Sequence, residues 1–139
     1  MELNTVMTAN PACCSRDTPL REVAKMMLDN DCGLIPVVDD QRQLLGVVTD
    51  RDIATRAVAG GKDPASCSAG DCMSTPVKSV AADSTLADCC AAMEAGQVRR
   101  VPVVDAQGRL CGIVSQADVA LSGRDEKTAE VVKQVSRPN

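Results

Sequence analysis

Two short segments of the chain carry side chains at a spacing that serves ligand chemistry. Thr49 and Asp52 stand three residues apart, as do Ser115 and Asp118, and each pair follows a β-branched run of the kind that forms a strand. A hydroxyl at the start of a helix accepts a bond from a free backbone amide, and an acidic residue in the first turn is favoured by the helix dipole. On spacing alone, both pairs read first as helix caps. The other reading is a ligand site, because unpaired amides at a helix start suit a phosphate and a nearby carboxylate accepts bonds from ribose hydroxyls. Arg99 and Arg100 add two guanidiniums able to clamp phosphate oxygens, against the plainer reading of a solvated charge pair.

Other chemistry is poorly supplied. The chain has no His and its 8 cysteines include no C-x-x-C, whereas acid–base or nucleophilic catalysis ordinarily needs a His, an activated Cys or a paired carboxylate. Neither an enzyme nor a metal centre is expected. Cys67 and Cys72 fall on a polar stretch expected to be exposed, which keeps a cysteine-based redox sensor as an alternative. Phe, Tyr and Trp are absent, so no ring is available to stack on a base, and single-stranded nucleic-acid readers of that kind are excluded. With 15 basic and 19 acidic residues the net charge is −4, which repels nucleic acid and anionic membranes. The chain has neither a long apolar run nor a basic-then-apolar start, so a cytoplasmic protein is expected.

The elements that must position these residues come as an internal repeat. Ile35-Pro36-Val37-Val38-Asp39 returns as Val101-Pro102-Val103-Val104-Asp105, and Gly46-Val47-Val48-Thr49-Asp50-Arg51-Asp52 as Gly112-Ile113-Val114-Ser115-Gln116-Ala117-Asp118, at one constant offset. The same offset aligns Met7-Thr8 with Met73-Ser74 and Leu20 with Leu86. Each copy reads as strand, helix, strand, strand, helix. The first helix opens at Thr18 or Ser84 and turns Leu20, Val23, Ala24 and Met27, or Leu86, Cys89, Cys90 and Met93, inward. Ile35 to Val38 with Leu44 to Val48, and Val101 to Val104 with Leu110 to Val114, read as hairpins covered on both faces. A second helix starts at Thr49 or Ser115, carries Ile53, Ala54, Ala57 and Val58 in the first copy, and ends at Gly60-Gly61.

The expected organisation is a first repeat at 1–62, a linker at 63–70, a second repeat at 71–123 and a helical tail at 124–139 with Thr128, Val131, Val132 and Val135 on one face. One hairpin and two helices bury too little alone, so an α/β (α+β) fold is expected, with two β-α-β-β-α repeats packed about a pseudo-two-fold axis.

Laid out in this way, the residues resemble tandem CBS (cystathionine-beta-synthase) domains. The likeness runs through Met-Thr near the start, the helix opened by Asp17-Thr18-Pro19-Leu20, Leu34 to Asp39, Gly46 to Asp52, and the matching Arg99 to Asp105 and Gly112 to Asp118. It covers nearly the whole chain except the tail and is similar to the small stand-alone bacterial type. The resemblance reverses the weight between cap and ligand, since these are the family positions for ribose and phosphate. It implies a regulatory module that binds adenine nucleotides (AMP, ADP, ATP, with NAD or S-adenosylmethionine also open) in the cleft between repeats, with no cofactor. A ligand-free dimerisation module is the alternative.

It further implies shared sites. One joins Thr49 and Asp52 to Ser74, the Val77 to Val80 strand, Arg99, Arg100 and Val101, and the other joins Ser115 and Asp118 to Thr8, the strand around Ala12 and Cys13, Gly33 and Leu34. On this arrangement the arginines favour a charged phosphate at Asp52 and leave the Asp118 site weaker or less charged. Adenine would rest on aliphatic contacts such as Val80 and Val101. A homodimer and an unnamed downstream protein are the expected partners, with the helices after each hairpin and the tail face as contacts.

Overall fold

The computed structural model describes residues 3–122. The tail helix expected from Thr128, Val131, Val132 and Val135 lies outside the described residues. The chain divides into two compact units, one made of Ala12–Val77 and the other of residues 3–11 with 78–122.

In the first unit, α1 (Leu20–Asp29) is followed by the antiparallel hairpin of β2 (Leu34–Val38) and β3 (Leu44–Thr49), a helical turn α2 (Asp50–Asp52), a π-helical segment (Ile53–Val58) and the short α3 (Ala69–Cys72). The second unit opens on a 3-10 turn (Leu3–Thr5) and β1 (Thr8–Ala9), then resumes with β4 (Val80–Ala81), α4 (Leu86–Gly96), the β5 (Arg100–Val104) and β6 (Leu110–Ser115) hairpin, and α5 (Gln116–Leu121). Its sheet has the order β1-β6-β5-β4, with β4 parallel to β5 and the other pairs antiparallel.

The repeat survives in space with one exchange. Ser74 bridges Val47 in the first unit while its counterpart Thr8 pairs with Ile113 in the second, and Cys14 bridges Val37 as Val80 pairs with Val103. Each hairpin is therefore flanked by two short extended segments, and the one leading into each repeat joins the other repeat's hairpin. Two glycines make room for this. A Cβ on Gly46 would meet Met73 Sδ at 2.8 Å and the Ser74 carbonyl at 3.0 Å, and one on Gly112 would collide with Met7 Sδ.

Each unit has its own aliphatic and thiol core. Leu20, Val23, Met27, Ile35, Val37 and Val48 centre the first, and Leu86, Cys89, Cys90, Met93, Val101 and Val114 centre the second. Several expectations need correction. Ala24 is exposed, so the buried stripe of α1 is narrower than the sequence implied. Helix α4 is capped by Thr85, not Ser84, because the Thr85 hydroxyl is the one that reaches the Asp88 amide at 3.1 Å. The extended segment before α4 is confined to Val80–Ala81, and Ala12 and Cys13 lie outside any strand. Burial alternates along β3, so one face of that strand is only partly covered. After Asp52 the backbone takes π geometry, with Ala59 N–H bonding the Ala54 carbonyl, and Ala57 alone is buried there while Ala54 and Val58 face outward.

The polar stretch before α3 is also more ordered than its composition suggests. Ser68 and Asp71 form a capping box, Leu20 N–H donates to the Cys67 carbonyl at 2.8 Å, and Ala69 N–H donates to the Thr18 carbonyl at 2.8 Å. Cys67 and Cys72, expected on an exposed segment, are 5% and 0% exposed because α3 folds them onto the α1 core.

Candidate functional site

Thr49 and Asp52 form a complete capping box at the end of β3. Asp52 N–H donates to Thr49 Oγ1 at 3.0 Å and Thr49 N–H donates to Asp52 Oδ2 at 3.0 Å. Ser115 and Asp118 repeat it at the end of β6, at 3.1 and 2.8 Å. The cap reading is thus correct at both places, and it fixes each carboxylate in the first turn of a helical segment, with Thr49, Asp50, Arg51 and Asp52 N–H all bonded in the first unit.

Beyond the cap, the two carboxylates differ. Asp52 is the buried charged residue among the described ones, at 7% exposure. Ser74 Oγ donates toward both its oxygens, at 3.0 and 3.1 Å, and Arg56 Nε stands 3.9 Å from Oδ1. The same Arg56 reaches through Nη1 to the Cys72 and Met73 carbonyls at 3.1 and 2.9 Å, closing the space between α3 and the π-helical segment. At the corresponding place in the second unit stands Ser122, whose hydroxyl turns back to the Val119 carbonyl at 2.6 Å. A cleft of about 390 Å³ is open there, lined by Thr5, Val6, Asp118, Leu121 and Ser122. Among the described residues Asp118 Oδ1 accepts no hydrogen bond.

The remaining expected site residues divide between the units. In the first, Leu34 faces Thr49 across the hairpin, the Gly33 carbonyl accepts from Asp50 N–H at 2.9 Å, and a Cβ on Gly33 would meet Asp50 Oδ2 at 2.8 Å. Cys13 is half-buried, with its sulfur 3.9 Å from Arg42 Nη1. In the second unit Arg100 faces Ser115 across the β5/β6 hairpin, Gln116 N–H donates to the Arg99 carbonyl at 2.8 Å, and Thr8 lies on β1 beside β6. Val80 is half-buried, but Val101 is 0% exposed in the core, so its side chain is not open to a ligand. Arg56 was missed by sequence reasoning. Its signal was present, a cation one helical turn after the acid of the motif, where the second copy has Ser122.

Two of the buried thiols are held in the protonated form. Burial, and then the adjacent Cys13, push Cys14 up to about 11, while burial, then Cys90 and then Asp118, push Cys89 up to about 12. Among the described residues no three of His, Cys, Asp and Glu are grouped to hold a metal ion, and no helix is long and apolar enough to cross a membrane.

Comparison with known proteins places both halves of the sequence in one family. Residues 3–59 and 69–122 each match the CBS domain. Hypoxic response protein 1 of Mycobacterium tuberculosis is 34% identical over 133 residues, spanning 96% of this chain and 92% of that protein. The crystal structure of Hypoxic Response Protein I with two coordinated zinc ions superposes with a TM-score of 0.81 at 35% identity, covering 87% of this chain and 98% of that one. The crystal structure of CBSX2 in complex with AMP superposes at 0.77 with 25% identity, covering 91% and 98%.

Proposed function

The chain belongs to the CBS-domain family, and on that premise we propose that it is a regulatory, non-catalytic module that senses an adenine nucleotide. The observation that carries the reading is the pair of carboxylates, Asp52 and Asp118, each set at a helix start by a Thr49 or Ser115 capping box. Such a carboxylate can accept the two ribose hydroxyls, and the Thr49 or Ser115 hydroxyl beside it can donate to a phosphate. Support comes from the CBSX2 structure, which holds AMP on the same fold. Arg99 and Arg100 supply local positive charge on a chain whose net charge is −4, and Val80 offers aliphatic surface to the base.

The two carboxylates are unequal. Asp118 faces an open cleft, whereas Asp52 is covered by Ser74 and Arg56. We therefore assign the principal ribose contact to Asp118, the opposite of the order that the arginines alone suggest. Nucleotide binding then acts by shifting the population of the chain's conformations toward one that a partner reads. A second copy of the chain is the first partner proposed, through the helices after each hairpin, where Val58 and Leu121 are 64% and 87% exposed.

A thermal-shift series with AMP, ADP, ATP, NAD and S-adenosylmethionine tests the reading, because a ligand that binds only the folded state raises the melting temperature. At least one of the five is expected to do so. Silence from all five favours a ligand-free structural module instead. Light scattering across a concentration series checks the dimer.

A further inference from the structure

Cys67 and Cys72 bring two thiols into contact, with Sγ atoms 3.4 Å apart. A disulfide needs about 2.05 Å, so closure requires an approach of roughly 1.4 Å. The two ends are not equally free to move. Cys67 is tied at both backbone groups, donating to the Asp63 carbonyl at 3.0 Å and accepting from Leu20 N–H at 2.8 Å. Cys72 ends the four-residue α3, and the carbonyls that follow its Cα and that of Met73 are those that hold Arg56. Ser74, next in the chain, is pinned by a pair of backbone bonds to Val47. A pull on Cys72 is therefore absorbed at the Cys72 and Met73 carbonyls, and hydrogen bonds of 3.1 and 2.9 Å do not survive a displacement of that size.

We propose that Cys67 and Cys72 are a hydroperoxide-oxidised pair, and that closing their disulfide releases Arg56 and opens a second nucleotide site at Asp52. The second clause rests on the nucleotide reading above. Cys67, 5% exposed, is the sulfur that a small peroxide meets, while Cys72 is 0% exposed. The Cys67 thiolate attacks the peroxide oxygen to give a sulfenic acid and release hydroxide. The Cys72 sulfur then attacks the Cys67 sulfur, its proton leaves with the departing hydroxyl as water, and the pair has given up two electrons to the peroxide. Burial and the bond to Cys67 push the Cys72 thiol up to about 11, so it stays protonated until that second step.

The test uses hydrogen peroxide and AMP. After treatment, blocking of free thiols and tryptic digestion, peptide 63–78, which holds both cysteines and no other, is expected unblocked and two hydrogens lighter than its dithiol form. Calorimetry is expected to give one AMP per chain in the reduced protein and two in the oxidised one, the new site within about a hundredfold of the first in affinity. Cys72→Ala is expected to remain at one with or without peroxide. Arg56→Ser, which copies the residue at the equivalent place in the second unit, is expected to bind two even when reduced, and it decides the gate should the cysteine variant not fold. A peptide that remains a dithiol while other cysteines are oxidised overturns the proposal. So does a disulfide with unchanged stoichiometry, or a reduced Arg56→Ser protein that binds one AMP. No AMP binding in any form overturns the gate, and overturns the nucleotide reading with it when none of the five ligands shifts the melting temperature, whereas one site throughout overturns the gate alone.

Discussion

Ser74 Oγ lies 3.0 and 3.1 Å from the two carboxylate oxygens of Asp52, whereas Thr8, its repeat partner beside Asp118, makes no hydrogen bond to that carboxylate among the described residues. A buried carboxylate that loses a partner keeps its desolvation cost. Ser74→Ala is therefore expected to lower stability by about 1–3 kcal/mol, and Thr8→Ala by no more than about 0.5 kcal/mol. Urea unfolding of the two variants checks this. Equal losses would mean that the Asp52 contact carries no special weight.

Ligand binding separates the roles of the charged groups. Asp118→Asn keeps an acceptor oxygen but removes the charge, and a charge-assisted pair of bonds to ribose is worth about 1.5–3 kcal/mol, so AMP affinity is expected to fall about tenfold or more. Arg100 faces Ser115 and the Arg99 carbonyl holds Gln116, so both arginines stand in the unit of Asp118, and their joint substitution by Ala is expected to weaken AMP while leaving adenosine, which has no phosphate, nearly unchanged. Titration with both ligands decides the matter, and parallel losses for AMP and adenosine would assign the arginines a structural role.

The sequence made the repeated elements and both capping boxes legible for a physical reason. Strands and helix starts depend on nearest neighbours, and the pattern through Gly46 to Asp52 or Gly112 to Asp118 states them twice. The exchange that sends Ser74 to Val47 and Thr8 to Ile113 is implied by the family resemblance, which joins Ser74 to Asp52 and Thr8 to Asp118, and not by local pattern, because such long-range pairing leaves no local signature beyond two glycines. Arg56 escaped notice because its partners, the carbonyls of Cys72 and Met73, are backbone groups that any residue supplies. Cys67 and Cys72 were misplaced on an exposed linker because small polar neighbours dominate that stretch, although α3 turns both sulfurs inward.

The exchange itself can be tested at its glycines. A methyl group at position 46 would meet Met73 Sδ at 2.8 Å and the Ser74 backbone at 3.0 Å, and only the thioether can yield cheaply. Gly46→Ala is expected to cost about 1–3 kcal/mol, with partial recovery when combined with Met73→Ala. At position 112 the obstruction is the flexible Met7 side chain, so Gly112→Ala is expected to cost less and to recover more fully with Met7→Ala. Denaturation midpoints of the single and double variants supply the comparison, and additive losses would show that the segments do not press on these hairpins.

Alkaline stability follows from the buried thiols. Cys14 and Cys72 are raised from 9.0 to about 11 and Cys89 to about 12, in each case chiefly because burial disfavours the thiolate. Above pH 9.0 the unfolded chain releases these protons while the folded chain retains them, so the unfolded state binds fewer protons and stability falls with rising pH. Their contribution is complete below the unfolded value and is lost progressively until the folded values near 11 to 12 are passed. Urea midpoints measured under reductant are therefore expected to decline between about pH 8 and about pH 10.5. Cys89→Ala removes one of the titrating groups and is expected to flatten that decline even though it opens a small cavity. A decline of the same slope in Cys89→Ala would mean that other groups govern alkaline unfolding.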